Sequence, residues 1–339
     1  MTSLPDLREF LTAAPRRVAL VGHRNPDGDA IGSTLAMRRF LEPLGHACTV
    51  IVPSEYPSFL RFLAGVDDVL VADASPDETA LAVREAELVV LQDFNSLDRI
   101  DKLGEWIAAR GDDVPRVLID HHLDPEPVAD VAISDPTASS TCELVYRTIV
   151  ELGMRERVTP AVAEALMTGI LTDTGGFSYA TSARLFRIVG ELFDVGVDNE
   201  RLQAAIFNSM SEKQLRLLGH CLANRMEVLH EYGAALITLS KRDYEHFDIQ
   251  RGDTEGIVNY MLRMGEVELA AFITEQPKIT KLSLRSKGDV DVRALARDHF
   301  KGGGHRNAAG GASYRGLRAT VARFKAALAQ RAEGVAEAG

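Results

Sequence analysis

Val117-Leu118-Ile119-Asp120-His121-His122 is the stretch that decides the fold: three apolar residues running straight into a carboxylate and two imidazoles. An unbroken apolar run, rather than an alternating one, is what a strand buried on both faces of a parallel sheet requires. Working outward, similar runs at Arg17–Gly22, Ala47–Pro53, Val69–Asp73 and Leu88–Asp93 predict further strands. Between the first two, Asp29–Gly45 sets Ile31, Leu35, Phe40, Leu41 and Leu44 at roughly helical spacing, with Gly45 to stop the helix. Strand, helix, strand in this order predicts an α/β fold whose N-terminal part is an open, mostly parallel sheet with helices on both faces. Ligands of such sheets bind beyond the carboxyl ends of the strands. Most of the chemically suggestive residues fall at those ends.

Downstream, Thr159 to about Arg225 reads as mostly helical, interrupted by a loop at Asp173–Tyr179. A second β-rich region begins near Gly233, with strands at Ala234–Leu239, Leu269–Thr274 and Lys281–Arg285 and a helix at Val292–His299. The glycine cluster Gly302–Gly304 follows, then an Ala-rich helix from Thr320 that frays after Arg331. The expected organisation is a first domain over 1–190, a helical linker over 191–225 and a smaller C-terminal α/β domain over 226–335. A length of 339 residues accommodates this, and 46% apolar with 26% charged residues is ordinary globular composition.

The net charge of −11 argues against wrapping long duplex nucleic acid, where phosphate neutralisation needs a broad basic surface. A small anion can still bind where cations and a few Arg or His make the site locally positive. Three scattered cysteines, Cys48, Cys142 and Cys221, support neither a disulfide framework nor a thiolate zinc site. Met1–Arg17 has no long apolar core segment, and no run approaches the roughly 18 apolar residues of a membrane span, so no membrane association and a cytoplasmic location are expected.

Four segments supply candidate metal ligands. The loop His23-Arg24-Asn25-Pro26-Asp27-Gly28-Asp29 follows a strand and is kept out of helix by Pro26 and Gly28, although Asp29 also reads as a helix cap. Asp93 ends an apolar strand, Asp120-His121-His122 ends another, and Asp173 ends an apolar helix before Gly175-Gly176. Neighbouring side chains on a strand point to opposite faces, so His121 and His122 are expected to do different jobs. The set His23, Asp27, Asp29, Asp93, His121 and Asp173 has two imidazoles, four carboxylates and no thiolate. It suits Mn2+ first, with Mg2+ or Co2+ as alternatives, better than structural zinc. Six donors are too many for one open ion but natural for two divalent cations sharing a carboxylate. Two ions roughly 3.5–4 Å apart clamp the attacking and leaving oxygens of phosphoryl transfer and acidify a water nucleophile.

These segments resemble the DHH phosphoesterase superfamily, named for the triplet that stands here as Asp120-His121-His122. Lys281-Leu282-Ser283-Leu284-Arg285-Ser286 and Gly302-Gly303-Gly304-His305-Arg306-Asn307-Ala308-Ala309-Gly310-Gly311 resemble the DHH-associated C-terminal domain. Among subfamilies, length and motif set are most similar to the bacterial nanoRNase/pAp-phosphatase group. The resemblance implies that His23 and Asp27 hold one metal, that Asp29, His121 and Asp173 hold the other, and that Asp93 bridges them. It implies that Asp120 orients an imidazole and that His122 faces the scissile phosphate, as catalytic residues. Arg285, Gly303, Gly304 and His305 would grip the substrate, with Arg306 and Asn307 as lesser candidates.

The expected activity is therefore hydrolysis of very short RNA oligonucleotides and of 3′-phosphoadenosine 5′-phosphate, a nucleotide 3′,5′-bisphosphate, by a metal-activated water. Rival readings are a dinucleotide signalling phosphodiesterase, a pyrophosphatase or polyphosphatase, and a nucleotide sensor without catalysis. A homodimer is compatible with the sequence. His220, His230, His246 and His299 read as surface or capping residues, Trp106 as helix packing, and Ser139-Ser140-Thr141 first as a capped helix start, with a place near the site as the alternative. Phe94 and Asn95, after Asp93, are open as substrate contacts.

Overall fold

The structure, a computed structural model, describes residues 4–12, 14–250 and 252–338. The chain divides into two compact units, Met1–Ser209 and Met210–Gly339.

In the first unit, α1 (Leu4–Thr12) precedes β1 (Arg17–Val21), α2 (Gly28–Leu41), β2 (Ala47–Val52), β3 (Leu70–Val71), α3 (Pro76–Glu85), β4 (Leu88–Gln92), α4 (Lys102–Ala108), β5 (Arg116–Asp120) and β6 (Val131–Ser134). Four helices follow β6: α5 (Thr141–Glu151), α6 (Pro160–Asp173), α7 (Ala183–Asp194) and α8 (Asn199–Phe207). The six strands pair in the order β3-β2-β1-β4-β5-β6, every ladder parallel. Side chains alternate between two cores. Val18, Leu20, Val90 and Ile119 pack with α1, α2 and α5–α8, whereas Ala19, Val21, Val89 and Leu118 pack with α3 and α4. The α/β sheet covered on both faces is thus the fold the apolar runs imply. Strand order reverses between β1 and β4, and a crevice opens at the carboxyl ends of strands at such a reversal.

Several elements differ from the sequence reading. Leu70–Val71 is a two-residue edge strand rather than five residues, and the weakly apolar β6 was not anticipated. The helix after β1 ends at Leu41; a 3-10 turn at Glu42–Leu44 carries the chain to Gly45, whose φ of +98° closes it.

The second unit contains α9 (Glu212–His220), β7 (Met226–Leu229), β8 (Ala234–Leu239), α10 (Lys241–His246), α11 (Ile257–Met261), β9 (Leu269–Glu275), β10 (Thr280–Ser286), α12 (Val292–Phe300), β11 (Gly303–Gly304), β12 (Ala308–Ser313) and α13 (Leu317–Ala338). Its sheet runs β11-β12-β10-β9-β8-β7, antiparallel except for the β8–β9 ladder. On β10 the odd positions Lys281, Ser283 and Arg285 share one face, while Leu282 and Leu284 enter a core with α12 and α13. β12 was missed because Ala-Ala-Gly-Gly-Ala-Ser has no β-branched or aromatic residue. α13 continues past the expected fraying point at Arg331 to Ala338. No helix among the described residues is long and apolar enough to cross a membrane.

Candidate metal centre

β1 delivers His23 and β4 delivers Asp93 on either side of the strand-order reversal, and β5 delivers Asp120, His121 and His122 beside them. Asp93 leaves β4 in a left-handed conformation (φ +67°), which only a few non-glycine residues, Asp among them, adopt readily. One oxygen of its buried carboxylate, Oδ2, lies 3.3 Å from His23 Nε2; the other, Oδ1, lies 3.4 Å from His121 Nε2. Asp27 Oδ1 is 3.8 Å from His23 Nε2. Asp173 Oδ2 and Asp29 Oδ2 stand 3.3 and 3.8 Å from His121 Nε2. Two donor groups result, His23/Asp27/Asp93 and Asp29/His121/Asp173, within each of which one ligand atom per residue lies within 4.8 Å of the others.

Local structure aims these groups. His23 Nδ1 is 2.9 Å from the Arg24 carbonyl, which can only accept, so Nδ1 carries a hydrogen and Nε2 is the nitrogen that faces the carboxylates. Asp27, not Asp29, caps α2: its Oδ1 accepts from the backbone N–H of Asp29 and Ala30, which corrects the capping role read from the sequence. Asp29 instead turns its carboxylate inward, where Oδ2 accepts from Thr141 N–H at 2.6 Å and Oδ1 from Cys142 N–H at 2.9 Å. Those donors belong to the first turn of α5, whose N-terminus favours negative charge. Thr141 also donates its hydroxyl to Asp93 Oδ1 at 3.1 Å.

Close helix packing makes this possible. A Cβ at Gly28 would sit 2.5 Å from the Thr172 side chain, one at Gly32 2.5 Å from the Ala165 carbonyl, and one at Gly169 2.6 Å from Asp29 Oδ1. Glycine at these positions lets α2 and α6 approach until Asp29 and Asp173 face the same imidazole. Sequence reasoning took Gly28 for a loop former, whereas it opens α2, and it missed the packing role of Gly32 and Gly169 and the partners of Thr141. The only local signal for Thr141 was a Ser-Ser-Thr helix start, and its partners lie 112 and 48 residues away.

Burial and mutual proximity set the electrostatics of the cluster. Burial and the neighbouring Asp93 charge push Asp29 up to about 8, and burial with Asp29 raises Asp173 well above the carboxylate range. Burial alone would lower His23 and His121, but the facing carboxylates outweigh it and raise both imidazoles well above their ordinary value. Burial also opposes ionisation of Asp93, yet His121 and His23 hold it well below that range. The cluster therefore favours added positive charge. Imidazole nitrogens and carboxylate oxygens converging there fit divalent cations, which would displace protons.

His122 is held by a different partner: its Nδ1 donates to Asp120 Oδ1 at 2.7 Å, with Asp93 Oδ1 3.8 Å away, and Asp120 is wholly buried. Phe94 is also wholly buried in the core beside α3 and α4, and Asn95 donates to the Leu123 carbonyl at 2.8 Å, so both brace the site's walls.

In the second unit, Gly303 and Gly304 are not a free loop but strand β11, paired in register with Gly310 and Ala309. A Cβ at Gly304 would meet the Ala308 carbonyl at 2.5 Å, so glycine serves strand approach there. His305 and Ala308 exchange backbone hydrogen bonds around an Arg306-Asn307 turn. Arg306 donates to Asp289, and Asn307 to Ser286 Oγ and the Gly288 carbonyl, so these two residues staple the hairpin to the segment before α12. Arg285 is registered with Ala308, which puts Arg285, Ala308 and His305 in one row across the sheet. His220, expected at the surface, is partly buried and hydrogen-bonds Asp243 with Nε2 at 3.1 Å.

A parallel sheet with Asp and His gathered at its strand-order reversal, ahead of a second α/β unit, defines a DHH-type phosphoesterase. The chain belongs to this family: residues 17–170 match the DHH family, N-terminal domain, and residues 231–334 match the DHHA1 domain. Among its relatives is the bifunctional oligoribonuclease and PAP phosphatase NrnA of Thermus thermophilus, 30% identical over 320 residues, covering 91% of this chain and 87% of that protein. The protein of the same name from Bacillus subtilis is 28% identical over 88% of this chain and 89% of its own length. The crystal structure of an exopolyphosphatase-related protein from Bacteroides fragilis matches with a TM-score of 0.92 and 37% identity, covering 96% of this chain and 95% of that one.

Proposed function

We propose that this phosphoesterase hydrolyses very short RNA oligonucleotides and 3′-phosphoadenosine 5′-phosphate with two divalent cations, Mn2+ foremost. The observation that carries the reading is Asp93, whose two oxygens address different donor groups, as a bridging carboxylate would. In this reading His23 and Asp27 hold one cation, and Asp29, His121 and Asp173 the other. When bound, the pair supplies an acidified water and charge neutralisation on the phosphoryl oxygens. The chain's own residues do the rest. Asp120 fixes His122 through Nδ1, so that Nε2 addresses the phosphate and passes a proton to the leaving oxygen. Arg285 and His305, beside Gly303 and Gly304, bind a phosphate of the substrate. The names of the Thermus and Bacillus relatives support this substrate class.

The test is a panel of 5′-labelled oligoribonucleotides of increasing length from the dinucleotide, 3′-phosphoadenosine 5′-phosphate, a cyclic dinucleotide, pyrophosphate and polyphosphate, each with Mn2+, Mg2+ or chelator. Turnover of dinucleotides and the bisphosphate that fades with RNA length is expected. Turnover of pyrophosphate or polyphosphate alone would replace the reading, and no metal-dependent turnover of any member would end it.

A further inference from the structure

We propose that Thr141 is a positioning residue that couples the two donor groups, holding Asp29 with its backbone and Asp93 with its hydroxyl. The inference rests on the two-cation reading above and deepens it. Thr141 is wholly buried at the first position of α5, a helix of 11 residues whose cap, Ser140, already satisfies the Glu143 N–H. The first two N–H groups of that helix are given to Asp29, a residue of α2, one to each carboxylate oxygen. That fork leaves the carboxylate no freedom to rotate without stranding two buried donors. The Thr141 hydroxyl then reaches Asp93 Oδ1, the oxygen that faces His121. One lone pair of that oxygen is thereby occupied, while the other oxygen, Oδ2, faces His23. A β-branched side chain suits the task, because its restricted χ1 holds the hydroxyl on target with little entropy to lose. No other hydroxyl–carboxylate hydrogen bond among the described residues reaches Asp93.

The role separates from mere packing by removing the hydroxyl while keeping the shape. Thr141→Val should raise the Mn2+ dissociation constant, read by titration calorimetry, by about 10–100-fold. It should also change the exchange coupling of the bound Mn2+ pair seen by electron paramagnetic resonance, because the bridge itself is reoriented. Thr141→Ser, which keeps the donor, should restore both to near the wild-type values. If the valine chain does not fold, Thr141→Ala against Thr141→Ser gives the same comparison. Wild-type affinity and coupling in the valine or alanine variant overturns the proposal, as does a serine variant as impaired as valine. A wild-type protein that binds no Mn2+ brings down the two-cation reading and the role of Thr141 together; a wild-type protein that binds Mn2+ with the valine variant unchanged brings down the role of Thr141 alone.

Discussion

His121 and His122 are adjacent on the chain yet stand in different surroundings. His121 Nε2 faces Asp29, Asp93 and Asp173, whereas His122 is tied by Nδ1 to buried Asp120. Replacing them should therefore fail in different ways. His122→Ala is expected to lower kcat by about 10²–10⁴-fold while Mn2+ still binds, as loss of a proton donor does. His121→Ala should weaken binding of the cation shared with Asp29 and Asp173, with the fold intact by circular dichroism. Steady-state rates beside a metal titration separate the two. At this scale the sequence was highly legible. Each donor closes an apolar strand or helix or opens the helix that follows, and the type and place of such residues survive translation into three dimensions. What it concealed were the partners of Thr141, which lie on other elements, and the true cap of α2, where Asp27 and Asp29 are both plausible until the backbone is traced.

Elements reach these positions through packing that a glycine permits or forbids. Gly169→Ala would press its methyl against Asp29 Oδ1, and is expected to cost about 1–3 kcal/mol in urea melting and to weaken Mn2+ binding. Gly190→Ala, in α7 with open space around its Cβ, should instead stabilise by about 0.4–1 kcal/mol. In the second unit, α10 is anchored by Asp243, which accepts from Arg225, Ser240 and His220. Burial opposes its ionisation, but Arg225 and Ser240 outweigh burial and hold it below the ordinary carboxylate range. Its folded value is depressed, so its stabilisation is complete above the unfolded value of about 3.9 and is lost as pH falls through the folded one. Asp243→Asn should thus destabilise at pH 7, by about 1.5–3 kcal/mol, and the gap to wild type should shrink below about pH 4. Strands with strong apolar runs were legible; β6, β7 and β12 were not, because short, mixed or Gly-Ala segments become strands only by pairing with a neighbour.

Across the whole molecule, each unit has its own hydrophobic cores, and every donor of the candidate metal centre lies in the first. Trp106, the single tryptophan, also lies in the first unit, so its fluorescence follows that unit's unfolding while far-ultraviolet circular dichroism follows both. The effect of Asp243→Asn should accordingly appear in the dichroism and not in the fluorescence. Arg285→Ala is expected to raise KM for the bisphosphate, roughly tenfold for the loss of one charge-assisted phosphate contact, with Mn2+ affinity unchanged. A drop in kcat with KM constant would contradict a binding role. The two-part α/β layout could be read from the order of apolar runs, and the family from its motifs. The sequence did not reveal that Gly303 and Gly304 form an edge strand, since a glycine run carries no side-chain pattern.

Because β1 sits mid-sheet between β2 and β4, and Asp173 closes the last helix to reach the cluster, the centre has a timetable. A nascent chain that has left the ribosome only as far as β5 holds His23, Asp27, Asp29 and Asp93 with nothing from α6 to complete the second group. In the two-cation reading the second group is complete only once residue 173 has emerged and α6 has docked, so loading would follow synthesis of α6 rather than start the fold.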